Sequence, residues 1–195
     1  MNVRMSAACV MLTAMVAQPA RAEQADPVAR ITAYDNGIVD ILKQGLGLQA
    51  RRDRFEALVR EYYDMPVIAA MVVGPKWASS SAPDRDAAIK ALTRHSALSL
   101  ARNFVKFGGE RFTADPAAID RGASKIVRVR ITSPGGADTL LYVLRKGSGG
   151  WKIIDVVAQG VSQLAVQRAD VAASVAADGA AGLAKGLARL DAAAR

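Results

Sequence analysis

The 195-residue sequence has one cysteine and one histidine. Cys9 alone makes no intramolecular disulfide, no CxxC redox pair and no cysteine zinc site. His95 alone excludes the usual multi-histidine metal cage. No glycine-rich phosphate loop ending in Gly-Lys-Ser or Gly-Lys-Thr occurs. Aromatic residues are 5% of the chain, and no basic run is interleaved with them to stack bases, so nucleic acid is not an expected partner. No segment reaches 18 uninterrupted apolar residues, so no membrane-spanning helix is expected. These absences point away from a metal, a cofactor and most nucleophilic chemistry. What is present is 51% hydrophobic and 23% charged, a composition for a packed globule rather than a disordered chain. The length suits one domain that buries about 70% of its unfolded surface.

Residues 1–22 have the three parts of a secretory signal peptide. Arg4 starts them, Ala7 to Ala17 is apolar, and Pro19 precedes an A-x-A site at Ala20-Arg21-Ala22. The alternative is an N-terminal membrane anchor, but an apolar run of about eleven residues is short for that. Cleavage after Ala22 predicts a single domain over 23–195 without cysteine, at home in an oxidising compartment. The formal net charge of +8 loses the two arginines of the leader. An exported basic protein meets anionic lipid headgroups or acidic partner surfaces, unless its surface is evenly basic.

Asp26-Pro27 reads as an N-cap with proline in the first turn. Ile31, Ile38, Ile41 and Leu42 then recur at helical spacing to Gly45. A second helix follows Arg51, Arg52 and Arg54, with Phe55, Leu58, Val59 and Tyr62 on its apolar face. Asp64-Met65-Pro66 starts a short helix carrying Ile68, Met71 and Val72 and ending at Gly74-Pro75. From Ser81 a long helix carries Ile89, Leu92, Ser96, Leu100 and Phe104 to about Phe107. After Gly108-Gly109 the period becomes two. Arg111–Ala114 is a first strand. Lys125–Ser133 puts Val127, Val129 and Ile131 on one face and Arg128 and Arg130 on the other. Thr139–Lys146 and Trp151–Val157 follow short glycine-bearing turns, which means antiparallel hairpins. Helix returns from Val161, breaks near Asp178-Gly179, and ends on a Leu183, Leu187, Leu190 stripe. Gly179 to Gly186 suits close helix packing, while the Gly182-x-x-x-Gly186 spacing means little outside a membrane. The order predicts an α+β domain with helices on one face of an antiparallel sheet.

Few residues invite chemistry. His95 shows no neighbouring acid or nucleophile in the sequence, so it reads as exposed or structurally bonded. Asp155, between Ile154 and Val156, is either a general base or a carboxylate that bonds the following turn's amides or an arginine. Glu61 and Asp64 flank Tyr62-Tyr63 as an acid/base pair or as helix-end charges. The Met65, Ile68, Met71, Val72 stripe is plain core or the wall of an apolar cavity.

Several segments together resemble the periplasmic lipid-binding family of the MlaC, or toluene-tolerance auxiliary, type. They are FEALVREYYDM at Phe55–Met65 with Ile68-Ala69-Ala70 and Gly74-Pro75-Lys76-Trp77, the hairpin VRVRITSPGGADTLLYVLRK, and WKIIDVVAQGV with Ser162, whose W-x-x-x-D-V then G-V-S leads into the last helices. DMPVIAAMVVGPKW and GGERF are also similar to its hopanoid-associated, HpnM-like branch. The resemblance covers nearly the whole chain after the leader. It implies a curved antiparallel sheet against helices, an NTF2-like or MlaC-like architecture enclosing an apolar pocket. It implies a periplasmic carrier, not an enzyme, shuttling phospholipid or a hopanoid-type lipid between the inner and outer membranes. The implied partners are an inner-membrane ABC-transporter complex and an outer-membrane lipoprotein complex. The competing readings are an enzyme on a similar cone-shaped fold, and a scaffold subunit with a filled core. On the carrier reading the lipid wall is expected from Phe55, Val59, Tyr62, Met65, Ile68, Met71 and Val72, from Leu100 and Phe104, and from Val127, Val129, Ile131, Tyr142 and Ile153 on the sheet. Two acyl chains have on the order of 30 methylenes, worth upwards of roughly 20 kcal/mol against water. A pocket at or above roughly 1,000 Å³ is therefore expected, with basic side chains available to a phosphate at its mouth.

Overall fold

A computed structural model describes residues 26–193. The leader expected at 1–22, with Cys9 and the expected cleavage site, lies outside the described residues. Among the described residues five helices come first: α1 (Pro27–Lys43), α2 (Leu48–Tyr62), α3 (Met65–Val73), α4 (Lys76–Ser79) and α5 (Ala82–Asn103). Strands β1 (Arg111–Ala114), β2 (Ile119–Arg121), β3 (Ser124–Ser133), β4 (Gly136–Gly147), β5 (Gly150–Ala158) and β6 (Val161–Ser162) follow, and α6 (Gln163–Ala193) closes the chain. The sheet is antiparallel in the order β1-β3-β4-β5-β6, with β2 also paired to β3. The α+β architecture expected from the sequence is the one found.

Local chemistry explains the helix starts. Asp26 accepts a hydrogen bond from the Val28 amide at 2.9 Å, with Pro27 in the first turn. Asp64 accepts from Val67 N, and Ser81 accepts from Asp84 N. Each cap satisfies an amide that the helix itself leaves without a partner. Helix α5 stops at Asn103, four residues before the expected Phe107, and Val105 and Phe107 stand exposed. The last helix begins at Gln163 because Val161 and Ser162 first pair with β5 as a short strand. That hairpin turns on Gln159 and Gly160, both at positive φ (51° and 79°). Two central residues of that kind make the turn whose twist matches a two-residue hairpin.

Gly179 breaks α6 with φ 57°, ψ −128°, and the two halves fold back on each other. A Cβ at Gly182 would lie 1.9 Å from the Ser174 carbonyl oxygen, and one at Gly186 would lie 3.1 Å from Ser174 Oγ. The Gly182/Gly186 spacing therefore matters here in water, because it lets two helix halves touch backbone to backbone. Ser80 Oγ receives the Ala180 amide at 3.1 Å, and Lys76 Nζ donates to the Ala176 carbonyl. The α4 segment thus clamps both sides of the break.

Two apolar clusters form. In one, Ile31, Tyr34 and Ile38 of α1 and Phe55 of α2 pack on Val127, Val129, Tyr142, Leu144 and Ile153 of the sheet. In the other, Val59, Met65, Ile68 and Val72 pack with Leu92, Ile154 and the α6 residues Val171, Leu183 and Leu187. A register shift between Val143 and Leu144 sets Leu144 opposite Ile153 and Val143 opposite Asp155. Ile154 is left without a partner at this bulge, and alternation puts the consecutive Ile153 and Ile154 into different clusters. Tyr63 and Leu100 pack against both.

Candidate functional site

A cavity of about 420 Å³ opens where the two clusters do not meet. Its walls come from α1 (Tyr34, Ile38), the α2–α3 junction (Tyr63, Met65, Ile68), α5 (Leu92, Leu100, Phe104), β4 (Leu140, Tyr142) and β5 (Ile154, Val156). The rim toward solvent carries Ser99 and Asn103 of α5 and Gln163, Val166, Gln167 and Asp170 of α6. The α2–α3 junction is pinned to the sheet by the Asp64 amide, which donates to the Ile153 carbonyl at 2.9 Å. That bond holds Tyr63 over β5.

Of the wall expected from the sequence, Met65, Ile68, Leu100, Phe104 and Tyr142 line this cavity. The other expected residues stand elsewhere. Phe55, Val127, Val129 and Ile153 are closed into the first cluster, against which half-buried Tyr62 also packs, and Val59 and Val72 into the second. Ile131 is half-buried, opposite Phe112 and Asp138. Met71 is 39% exposed on α3. The physical reason is helix α1. Its Ile31, Tyr34 and Ile38 cover the face of the sheet that Val127 and Val129 share with Tyr142, so the cavity meets the sheet farther along, at Leu140, Tyr142 and Val156. Val127 and Val129 share a sheet face with Tyr142, as period-two alternation expects, and α1 packs over the part of it that they occupy. The volume is under half of that expected for two acyl chains. Basic side chains were expected at the mouth, yet among the described residues no lysine or arginine lines this cavity.

The inner wall has a polar cluster that the sequence reading missed. Tyr34 and Tyr63 hydroxyls lie 3.0 Å apart. The Tyr142 hydroxyl donates to Asp35 Oδ1 at 3.0 Å. Asp35 is 3% exposed, and burial raises its carboxyl from 3.8 to about 7, against a lowering by the Tyr142 bond. Burial likewise pushes the Tyr63 hydroxyl up to about 12, and holds Tyr34 and Tyr142 well above 10. All three phenols are therefore protonated donors at neutral pH. The available signal was Tyr34-Asp35 on the buried side of α1, where a carboxylate next to Tyr34 interrupts the Ile31, Ile38, Ile41 and Leu42 stripe.

The other polar residues resolve into structural roles. Asp155 Oδ1 accepts from Val156 N at 2.8 Å and Leu164 N at 3.0 Å, and Oδ2 accepts from Ser162 Oγ at 2.6 Å. Ser162 Oγ in turn accepts from Ala165 N. The Asp155 and Ser162 pair is thus a clasp that caps the start of α6. His95 Nδ1 lies 2.6 Å from Asp191 Oδ1, a partner distant in sequence on α6. No serine hydroxyl bonds the other ring nitrogen among the described residues. Glu61 pairs with buried Arg30 at 2.8 Å while Asp64 caps α3, so the two do not form an acid/base pair. No group of three or more acidic, histidine or cysteine residues could hold a metal among the described residues.

The MlaC protein family model matches residues 33–189. A solved phospholipid-binding protein from Ralstonia solanacearum, in complex with a phospholipid, is similar to this chain with a TM-score of 0.68. The two are 20% identical, and the match covers 86% of this chain and 98% of that one, a likeness of fold. No curated protein matches the chain.

Proposed function

The chain belongs to the MlaC family, and from that membership we propose that it is a lipid-binding carrier whose cargo is a phospholipid. The observation that carries this reading is the apolar cavity between the two clusters, bounded by helices on one side and the sheet on the other. Taking acyl chains from a bilayer requires replacing their apolar surroundings, at about 0.8 kcal/mol per methylene. A wall of Ile38, Met65, Ile68, Leu100, Phe104 and Leu140 supplies such a surface. The phospholipid in complex with the Ralstonia protein, on a similar fold, supports the same cargo here.

At about 420 Å³ the cavity takes a two-chain lipid only if its walls move apart. The rim supports the place where they do. On α5 and the first half of α6 it is built of Ser99, Asn103, Gln163, Gln167 and Asp170, with Val166 already 40% exposed, so separating these side chains exposes little new apolar surface. With no lysine or arginine on the lining among the described residues, a phosphate stays in water, and the tails supply the affinity.

On this reading the protein works in the periplasm, exported by the leader at 1–22, and exchanges lipid with an inner-membrane ABC-transporter complex and an outer-membrane lipoprotein complex. A hopanoid-type lipid is the alternative cargo. Native mass spectrometry and solvent extraction of the protein purified from membrane-containing cells test the proposal. A phospholipid at about one molecule per chain is the expected result. A hopanoid mass would transfer the reading to that lipid, and a protein free of any lipid, which also takes none from vesicles, would overturn it.

A further inference from the structure

Two facing hydroxyls have two protons, and one hydrogen bond uses only one of them. Tyr34 and Tyr63 face each other at 3.0 Å, so one O–H of the pair is left to find another acceptor. No other acceptor among the described residues bonds either hydroxyl. The nearby carboxylate, Asp35, accepts the Tyr142 proton instead. Tyr34 is 1% exposed and Tyr63 half-buried, and both residues line the cavity. A buried hydroxyl proton without an acceptor is costly and uncommon. A hydrocarbon tail alone in the cavity would leave that proton unpaired, because methylenes accept nothing.

We propose that the Tyr34–Tyr63 hydroxyl pair is an inner polar subsite of the cavity, taking a hydroxyl or carbonyl oxygen on the buried part of a lipid. This rests on the reading of the cavity as a lipid site and names the class of lipid it prefers. The free O–H donates to the ligand oxygen. A ligand hydroxyl can also donate back to a phenolic oxygen, whereas a ketone only accepts, so both satisfy the pair and the hydroxyl does so more fully. The rings are held for this role. Tyr34 stacks edge-on to Tyr63 and Tyr142, with centroids 5.6 and 5.7 Å away, and the Tyr63 backbone bridges to Ile153.

The test is a competition, read by native mass spectrometry, between phosphatidylcholines that differ only in one stearoyl chain: plain, hydroxylated at mid-chain, hydroxylated at the chain end, or bearing a keto group at either place. The wild-type protein is expected to hold at least one oxygenated lipid about fivefold or more over the plain one, the scale of one net buried hydrogen bond. The double substitution Tyr34→Phe/Tyr63→Phe removes both hydroxyls in the same shape and leaves no donor unpaired. It is expected to keep its melting temperature and bind the plain lipid at least as well, with the preference reduced to near one. A wild-type protein that binds plain lipid without preferring any oxygenated one overturns this inference alone, as does a preference that survives in the folded double variant. A wild-type protein that takes none of the lipids overturns the carrier reading itself.

Discussion

Asp155 lines the cavity, Asp35 lies behind its wall bonded to Tyr142, and the two carboxylates do different work. Asp155 accepts from two backbone amides and the Ser162 hydroxyl, which ties β5 to the start of α6. Asp155→Ala leaves those donors without an acceptor, and a cost of about 2–3 kcal/mol is expected in urea unfolding. Asp155 lines the cavity, but both of its oxygens are taken up by these donors, so lipid bound per folded molecule should stay the same. A variant of native stability that has lost its lipid would contradict this. Asp35 has one phenolic donor in an apolar setting, and its carboxyl rises to about 7. Between about pH 4 and 7 the folded chain therefore keeps a proton that the unfolded chain has released. Stability contributed by this group is greatest below that window and is lost as pH rises through it, by roughly 4 kcal/mol at the upper end. Unfolding at pH 5 and pH 8 should show the wild type gaining more at pH 5 than Asp35→Asn, whose amide does not titrate. Equal pH dependence of the two would rule out Asp35 as the source.

At the level of elements, α6 shows how small-residue spacing acts outside a membrane. Gly182→Ala gains up to about 1 kcal/mol of helix propensity. Its Cβ, however, would sit 1.9 Å from the Ser174 carbonyl oxygen, and backbone on both sides yields little. The clash wins, and a net loss of about 1–3 kcal/mol is expected. Gly186→Ala, whose nearest neighbour is the movable Ser174 hydroxyl, should be close to neutral in the same thermal melt. Similar losses at both positions would mean that the hairpin packs more evenly than its geometry indicates. The break at Gly179, the helix starts at Asp26, Asp64 and Ser81 and the β3–β4–β5 meander were all legible in the sequence, because caps, glycines and periods of 3.6 and 2 are local signals. The bulge between Val143 and Leu144 was not, since only the partner strand reveals the extra residue. Nor was the His95–Asp191 pair, which joins α5 to α6 between residues 96 positions apart. The cavity's position was legible in part. Met65 and Ile68 stand on an apolar stripe that the sequence displays, but whether a buried valine meets a helix or an open space depends on where α1 lies.

For the molecule as a whole, the question is which apolar residues hold the fold together and which enclose the cargo, and substitutions at Val129 and Leu100 separate the two. Val129 is fully buried in the cluster beneath α1 and does not line the cavity. Val129→Gln puts an amide where nothing can bond it, at a cost of several kcal/mol, so any loss of lipid should come with a loss of folded protein. Leu100 packs against both clusters from the cavity side and is only half-buried. Leu100→Trp extends a ring into space that is already open, so crowding of the core is limited and a stability change within about 1.5 kcal/mol is expected. The same ring occupies the volume that acyl chains need, and the cavity of about 420 Å³ has little to spare. Extracted lipid per folded chain should therefore fall severalfold in Leu100→Trp while its melting stays close to that of the wild type. The pairing of the two variants carries the argument. Lipid loss with an intact fold at Leu100, set against lipid loss only through unfolding at Val129, locates the cargo between α5, α6 and the far end of the sheet. Full lipid loading in a folded Leu100→Trp protein would move the cargo to another part of the molecule.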